Sequence, residues 1–513
     1  MTAVSNDTQT DSVIDDAVSA IAGLKERTVR GAAVAAACMV AEKTVGLITL
    51  AVMARLLTPA DYGLLGMVIA FTAFISVFSE LGLSAATVQK ARLTHEQVST
   101  LFWVNASFGA LLALVTAGIS PLIAWFYKEP ELAWLTAALG AGFAIGGLGV
   151  QQTALLARRM QFVRLASASL TALILSSLVG ILTAWYGWGP WALIAMTISM
   201  RATTVAGVWI LSGWVPGPLM LRRSGTRPML RFGRDFAVFN VLYYFSQNLD
   251  KALLGRVWGA DAVGYYTRGY HLMVLPITTV TKPLSRVIVP AFSRLQHDHA
   301  RLRRAFSQAM GLIALVTFPM MVGAGILAPE VVRIVYGPQW GPIVPIFQIL
   351  CVTGLFQGVY GSLGWLFVPT GRTDRLLRWG MFTMPIICIG YVLGLRWGAF
   401  GVAAGYTAAM CLIIYPCLRY SYNTINLRVA TVMKEIAGPF WAALAMGVVV
   451  WPVRSALARG TNHFQVFFIC VAIGAVVYAA IIALTSGRHF LQIGKHLLNW
   501  EGAGDVGNAT RHD

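Results

Sequence analysis

Seven polar side chains stand inside stretches that are otherwise apolar, and their types define the chemistry open to this chain. Glu42 and Lys43 interrupt G-A-A-V-A-A-A-C-M-V-A-E-K-T-V-G-L-I-T-L-A-V-M-A at 31–54. Arg201 stands in A-M-T-I-S-M-R-A-T-T-V-A at 195–206, and Gln247, Asn248, Asp250 and Lys251 form the patch Q-N-L-D-K. A charge at the centre of a bilayer costs at least ~2.5–3.5 kcal/mol, so such residues mark a pathway or a buried pair. A cation held there can meet an anion, a carboxylate can carry a proton or hold a sodium ion, and amides can bridge either. Lys43, Arg201 and Lys251, with Gln247 and Asn248, are therefore candidate substrate-binding residues. Glu42 and Asp250 are candidate ion-coupling groups. Consecutive residues of a helix point ~100° apart, so Glu42 and Lys43 pair poorly with each other and are expected to find partners on other helices. The competing account of Lys43 is an interhelical structural pair, and of Asp250 a structural role within its own stretch.

The elements that must position these residues are membrane-spanning helices. Of 513 residues, 57% are hydrophobic and only 12% charged, against ~25% charged in a soluble domain; the mean hydropathy is +0.68. A spanning helix needs ~20 mostly apolar residues. About fourteen such stretches are predicted, centred near residues 43, 72, 109, 142, 175, 200, 246, 274, 318, 355, 385, 409, 446 and 474. With the N-terminus inside, 28 of the 39 Lys and Arg fall on the inner side, eight on the outer side and three within spans. That bias orients the chain with both termini cytoplasmic. It also explains the net charge of +18 as a cytoplasmic face meeting anionic membrane lipids, and no nucleic acid partner is expected.

R-L-L-T-P-A-D-Y-G (55–63) and R-V-W-G-A-D-A-V-G (256–264) form a weak internal repeat, in which Arg55 matches Arg256 and Gly63 matches Gly264 at an offset of 201. Six spans separate the two copies, so the halves share one orientation. The expected fold is an all-α polytopic membrane protein with two six-helix lobes around a central cavity, plus two C-terminal helices. The boundaries drawn from hydropathy are a cytoplasmic tail at 1–30, a first lobe at 31–213, a basic cytoplasmic loop at 214–234, a second lobe at 235–420, two further spans at 421–486 and a cytoplasmic tail at 487–513. Prolines within later spans (Pro276, Pro319, Pro345, Pro385, Pro416) predict bends.

Other chemistries fit poorly. The six cysteines lie in apolar segments without C-x-x-C spacing, so no disulfide framework or metal site is expected. G-A-G-F-A-I-G-G-L-G (140–149) lacks the dinucleotide spacing and is read as small residues for close helix packing. No Walker A sequence occurs. Y-G-W-G-P-W (186–191) and G-Y-Y-T-R-G-Y (264–270) read as aromatic belts at the membrane surface. Glu80 reads as an interfacial structural residue and His271 as a hydrogen-bonded helix histidine. No catalytic residue is assigned.

A-R-L-L-T-P-A-D-Y-G-L-L-G-M-V, S-E-L-G-L-S-A-A-T-V-Q (79–89), N-L-D-K-A-L-L-G-R-V-W-G-A-D-A-V-G-Y-Y (248–266), P-L-S-R-V-I-V-P-A-F-S-R-L-Q (283–296) and Y-G-P-Q-W-G-P (336–342) resemble, in order, the motifs of bacterial polysaccharide flippases. These form the Wzx-type branch of the MOP exporter superfamily, which also contains the MATE exporters. The resemblance covers roughly residues 30–420. It implies a multi-pass protein of the bacterial cytoplasmic (inner) membrane that moves an undecaprenyl-diphosphate-linked oligosaccharide from the inner to the outer leaflet by alternating access. It implies no cofactor, coupling to H+ or Na+ as in several members, and a polysaccharide polymerase and chain-length regulator as downstream partners. Lys43, Arg201 and Lys251 would then meet the diphosphate. Same-fold alternatives are a lipid II flippase or a drug–cation antiporter. A membrane polysaccharide polymerase or ligase is disfavoured by the short predicted outer loops.

Overall fold

The computed structural model describes residues 34, 37–79, 87, 94–218, 227–296, 298–361, 364–367 and 373–485. Every regular element among the described residues is helical, as the composition requires. Ten helices among them are long and apolar enough to cross a membrane, or eleven if Glu131–Gly147 and Val150–Arg158, bent by 41°, form one span. Two of the ten, Asn248–Arg294 (47 residues) and Arg378–Ile425 (48 residues), are each long enough for two crossings. Each of the fourteen centres read from hydropathy falls inside a helix.

The chain divides into two compact units, Met1–Leu57 with Val68–Phe245 and Thr58–Met67 with Ser246–Asp513. Thr58–Met67, which hydropathy draws into the first lobe, thus clusters with the second unit. Unit 1 contains α1 (Ala37–Leu56), most of α2 (Pro59–Ser79), α3 (His95–Tyr127), α4 (Glu131–Gly147), α5 (Val150–Arg158), α6 (Phe162–Trp185) and α7 (Pro190–Ser212). α3 packs along α4, α6 along α7, and α4 against α7. The close α3–α4 approach needs glycine: a Cβ on Gly109 would lie 2.6 Å from the Phe143 carbonyl oxygen, and one on Gly147 would lie 2.7 Å from that of Asn105. In a membrane, where lipid is as apolar as a side chain, this backbone proximity supplies the packing energy.

Helix starts follow the local sequence. At α2, the Thr58 N–H and hydroxyl each donate to Asp61 Oδ2 at 2.8 Å, and the Asp61 N–H donates back to Thr58 Oγ1 at 3.3 Å. With Pro59 at the first helical position, T-P-A-D forms a capping box. Thr94 and Gln97 cap α3 in the same manner.

α8 (Arg227–Arg294) holds two predicted spans, broken at Gly259 (φ 78°, ψ −171°), a conformation essentially restricted to glycine. Beyond it come α9 (His299–Ile326), the short α10 (Ala328–Val335), α11 (Ile343–Gly361), α12 (Gly364–Phe367), α13 (Thr373–Gly394), α14 (Gly398–Tyr422), α15 (Val429–Leu457) and α16 (His463–Thr485). α9 packs against α11 and α15, α13 against α14, and α15 against α16. Their shared core contains Phe306, Ile313, Leu366, Cys417, Tyr422 and Val432. The six cysteines are free.

Candidate functional site

In unit 1, α1 carries Glu42 and Lys43. Lys43 is exposed, as are Val40 and Leu47 one turn to either side, while Glu42 is half-buried. Glu42 lies two turns before Thr49 on the same helix face; Thr49 is buried and donates to Ser177 Oγ of α6 at 2.8 Å. Partners on other helices are expected from the sequence. Among the described residues, neither Glu42 nor Lys43 makes an ion pair or a side-chain hydrogen bond. The charges therefore point apart, as 100° spacing demands, and do not cross-link helices.

Arg201 on α7 lies over the glycine run of α4. Its Cδ is 3.2 Å from where a Cβ of Gly142 would stand, and its Nη1 is 3.4 Å from the corresponding position of Gly146. The glycine run thus has two faces. Gly140 and Gly147 let α3 approach, while Gly142 and Gly146 leave a floor for the arginine. Close packing alone, as read from the sequence, accounts for only the first. No carboxylate among the described residues pairs with Arg201, so its guanidinium donors remain available to an anion.

In unit 2, α8 brings Asn248, Asp250 and Lys251 together. Lys251 Nζ donates to Asn248 Oδ1 at 2.8 Å, and the Lys251 N–H donates to Asp250 Oδ1 at 2.8 Å. Asp250 is 4% exposed. The Lys251 ammonium therefore spends its close contact on an amide and forms no ion pair with the adjacent carboxylate. The Gln247 side chain lies outside the described residues, as do Glu80 and both predicted tails.

Sequence reading missed the surroundings of Asp250. Tyr266, fully buried, stacks on Tyr270 at 6.3 Å; Tyr270 meets Tyr406 at 6.2 Å, and Tyr406 stacks on Tyr391 at 5.7 Å. The Tyr266 hydroxyl faces the Asp250 carboxylate without closing a hydrogen bond to it. The Tyr406 hydroxyl donates to Gln357 Oε1 at 3.2 Å, and Thr353 and Thr407 share a buried hydrogen bond of 2.7 Å. A single buried carboxylate ringed by phenols and amides can accept a proton or lie beside a small cation. The signal was present in G-Y-Y-T-R-G-Y, read as an aromatic belt. That reading is corrected for Tyr266, which is interior. Tyr186 and Trp188, 77% and 56% exposed, do stand at the surface as the belt reading requires. Arg268, from the same stretch, lies over the Tyr62 ring at 4.2 Å, beside Trp340. His271 is exposed. Among the described residues, no three His, Cys, Asp or Glu side chains gather as metal ligands.

The repeat has a physical counterpart in unit 2. A Cβ on Gly63 would overlap the Ala260 carbonyl, and one on Gly264 would overlap the Pro59 carbonyl. Pro59 and Ala260 are themselves 201 residues apart, so the start of α2 and the second half of α8 meet through equivalent positions.

The profile of a family described as polysaccharide biosynthesis protein matches residues 52–345. The chain is 27% identical over 416 residues to the lipopolysaccharide biosynthesis protein WzxC of Escherichia coli, covering 78% of this chain and 83% of that one. It is 23% identical over 450 residues to the succinoglycan biosynthesis transport protein ExoT of Rhizobium meliloti, covering 85% and 89%. In structure it resembles the lipid II flippase MurJ in an inward closed conformation, with a TM-score of 0.72 at 16% identity over 88% of this chain and 98% of that one. At that identity the likeness is one of fold.

Proposed function

The chain belongs to the polysaccharide biosynthesis protein family, and on that premise we propose that it is a flippase for an undecaprenyl-diphosphate-linked oligosaccharide repeat unit. It carries the head group from the inner to the outer leaflet of a bacterial cytoplasmic membrane, supplying exopolysaccharide or lipopolysaccharide synthesis. A polymerase and chain-length regulator take up the product outside. The observation that carries the reading is the pair of intramembrane cations, Lys43 and Arg201, that have no ion-pair partner among the described residues. An unpaired charge in an apolar span is costly, and a diphosphate is the group that repays the cost.

Arg201 offers a planar fork that binds two phosphate oxygens at once, and Lys43 a mobile point charge. The glycine floor beneath Arg201 holds its stem without spending its donors. Lys251 extends the cationic set in unit 2. The lipid tail stays in hydrocarbon throughout, so only the head group needs a polar route. The protein performs no bond chemistry; alternation between inward- and outward-open states does the work, driven by H+ or Na+. Asp250 and Glu42 are the coupling groups, since gain of a proton or sodium ion changes the charge of a carboxylate within a span and with it the preferred state.

The test is flipping of a fluorescent undecaprenyl-diphosphate oligosaccharide in proteoliposomes, with lipid II as a second cargo. Lys43→Ala and Arg201→Ala should each lower the rate about tenfold or more, the worth of one charge-assisted hydrogen bond. Lys43→Arg should keep most activity. Full activity in both alanine variants removes these cations from the path. Flipping of lipid II alone assigns the chain to that cargo.

A further inference from the structure

We infer that unit 1 carries an anion site apart from the proposed transport path, a pocket at the start of α3 shaped for the phosphate of a headgroup. The cavity has a volume of about 390 Å³ and is lined by Arg158, Arg159, His95 and Trp214 above an apolar floor that includes Val98 and Leu155. No carboxylate is among its described lining residues. Its size is at the small end of ligand pockets, suited to a phosphate with a short substituent. A basic rim over an apolar floor is the make-up of a site for an amphiphile. Basic pockets between helices on the cytoplasmic side are the places where acidic headgroups bind, and Arg158 and Arg159 belong to the loop that the positive-inside bias places there.

The pocket is built by its own contacts. The segment after α7 straps onto α3. Trp214 Nε1 donates to His95 Nδ1 at 3.2 Å, the Gly217 N–H donates to Ser99 Oγ at 2.8 Å, and Trp103 Nε1 donates to the Gly217 carbonyl at 2.9 Å. Because His95 Nδ1 accepts, Nε2 carries the proton in the neutral ring and is a donor. Arg158 gives one Nη1 bond to the Thr87 carbonyl at 2.9 Å and is held in place by it. Arg159 is exposed, and its Nη1 makes a long 3.5 Å approach to the Ser212 carbonyl. It is the arm with most donors to spare. A cavity of similar make-up, about 380 Å³ and lined by Arg303, Arg304 and Arg428, recurs in unit 2 at the start of α9, there with Glu435 as an included carboxylate. Among the described residues, the pocket at α3 has no such carboxylate in its lining.

The shared chemistry is a phosphate ester, and its two sources are an anionic phospholipid and a soluble phosphate. They separate in one experiment on the detergent-purified full chain. Native mass spectrometry counts bound phosphatidylglycerol against phosphatidylcholine for the wild type, Arg159→Gln and Arg159→Lys. Thermal unfolding is followed in parallel with millimolar inorganic phosphate. Expected is one fewer bound phosphatidylglycerol in Arg159→Gln, or about tenfold weaker binding at that position, with binding kept in Arg159→Lys and phosphatidylcholine unaffected. Protection by inorganic phosphate that Arg159→Gln loses, with phosphatidylglycerol counts unchanged, assigns the same pocket to a soluble phosphate. Equal behaviour of the wild type and Arg159→Gln in both arms overturns the site. Arg159 is exposed, so its replacement leaves the fold intact for either outcome.

Discussion

Two arginines in apolar helices are housed in opposite ways, and the difference separates structure from work. Arg454 on α15 sends its Nε to both carboxylate oxygens of Glu330 on α10, at 3.0 and 2.9 Å, with Glu330 only 1% exposed. Arg201 lies on glycines and meets no carboxylate among the described residues. Removing one partner of a buried pair costs about 3–5 kcal/mol, because the other charge is left uncompensated. Arg454→Ala is therefore expected to lower the unfolding temperature of the purified protein sharply, while Arg201→Ala leaves it nearly unchanged and slows flipping about tenfold or more. Thermal unfolding and the proteoliposome assay, run on the same two preparations, check both halves. If Arg201→Ala destabilises as much as Arg454→Ala, Arg201 is a packing residue. The sequence shows that both arginines stand among apolar residues; it does not show which one has a carboxylate 124 positions away.

At the scale of elements, hydropathy was legible because every span repeats the same requirement of ~20 apolar residues, and all fourteen predicted centres lie in helices. The capping boxes T-P-A-D and T-H-E-Q form between residues three apart, a local signal that a reading by hydropathy passes over. Pairing was not legible. The repeat made Gly63 and Gly264 equivalent, but equivalence does not imply contact, and only the structure brings α2 and α8 together through them. The aromatic stretch at 264–270 failed for a related reason: apolar periodicity does not distinguish a lipid-facing ring from one facing another helix. The α2–α8 contact yields a double-mutant prediction. Gly63→Ala and Gly264→Ala should each destabilise by about 1–3 kcal/mol, the cost of overpacking. The double variant should cost clearly less than the sum, because the first methyl already parts the two helices. Strict additivity in thermal or denaturant unfolding would show that the two glycines do not share one interface.

At the scale of the whole molecule, the proposed cargo sets an energetic problem that no nucleotide motif in the chain solves. A diphosphate moved outward across an inside-negative membrane travels down the electrical potential, gaining ~2.3 kcal/mol per charge per 100 mV. In the proposed cycle Lys43 and Arg201 neutralise part of that charge while the cargo is bound, so the gain depends on whether the unloaded cations return through the field. A coupling carboxylate adds a second, chemical dependence on the gradient. Asp250 is the group proposed for this role: it is buried, it receives the Lys251 N–H, and the Tyr266 hydroxyl faces it. Asp250→Asn keeps an acceptor for that N–H and cannot ionise. Wild-type flipping is expected to respond both to a potential clamped with potassium and valinomycin and to an imposed pH or sodium gradient. In Asp250→Asn the response to potential should persist and the response to the ion gradient should vanish. A variant that still follows the ion gradient places coupling elsewhere, with Glu42→Gln the next to measure. A variant that loses both responses while still binding cargo makes the Asp250 cluster part of the helix movement itself, because a group needed only for coupling leaves the electrical drive intact.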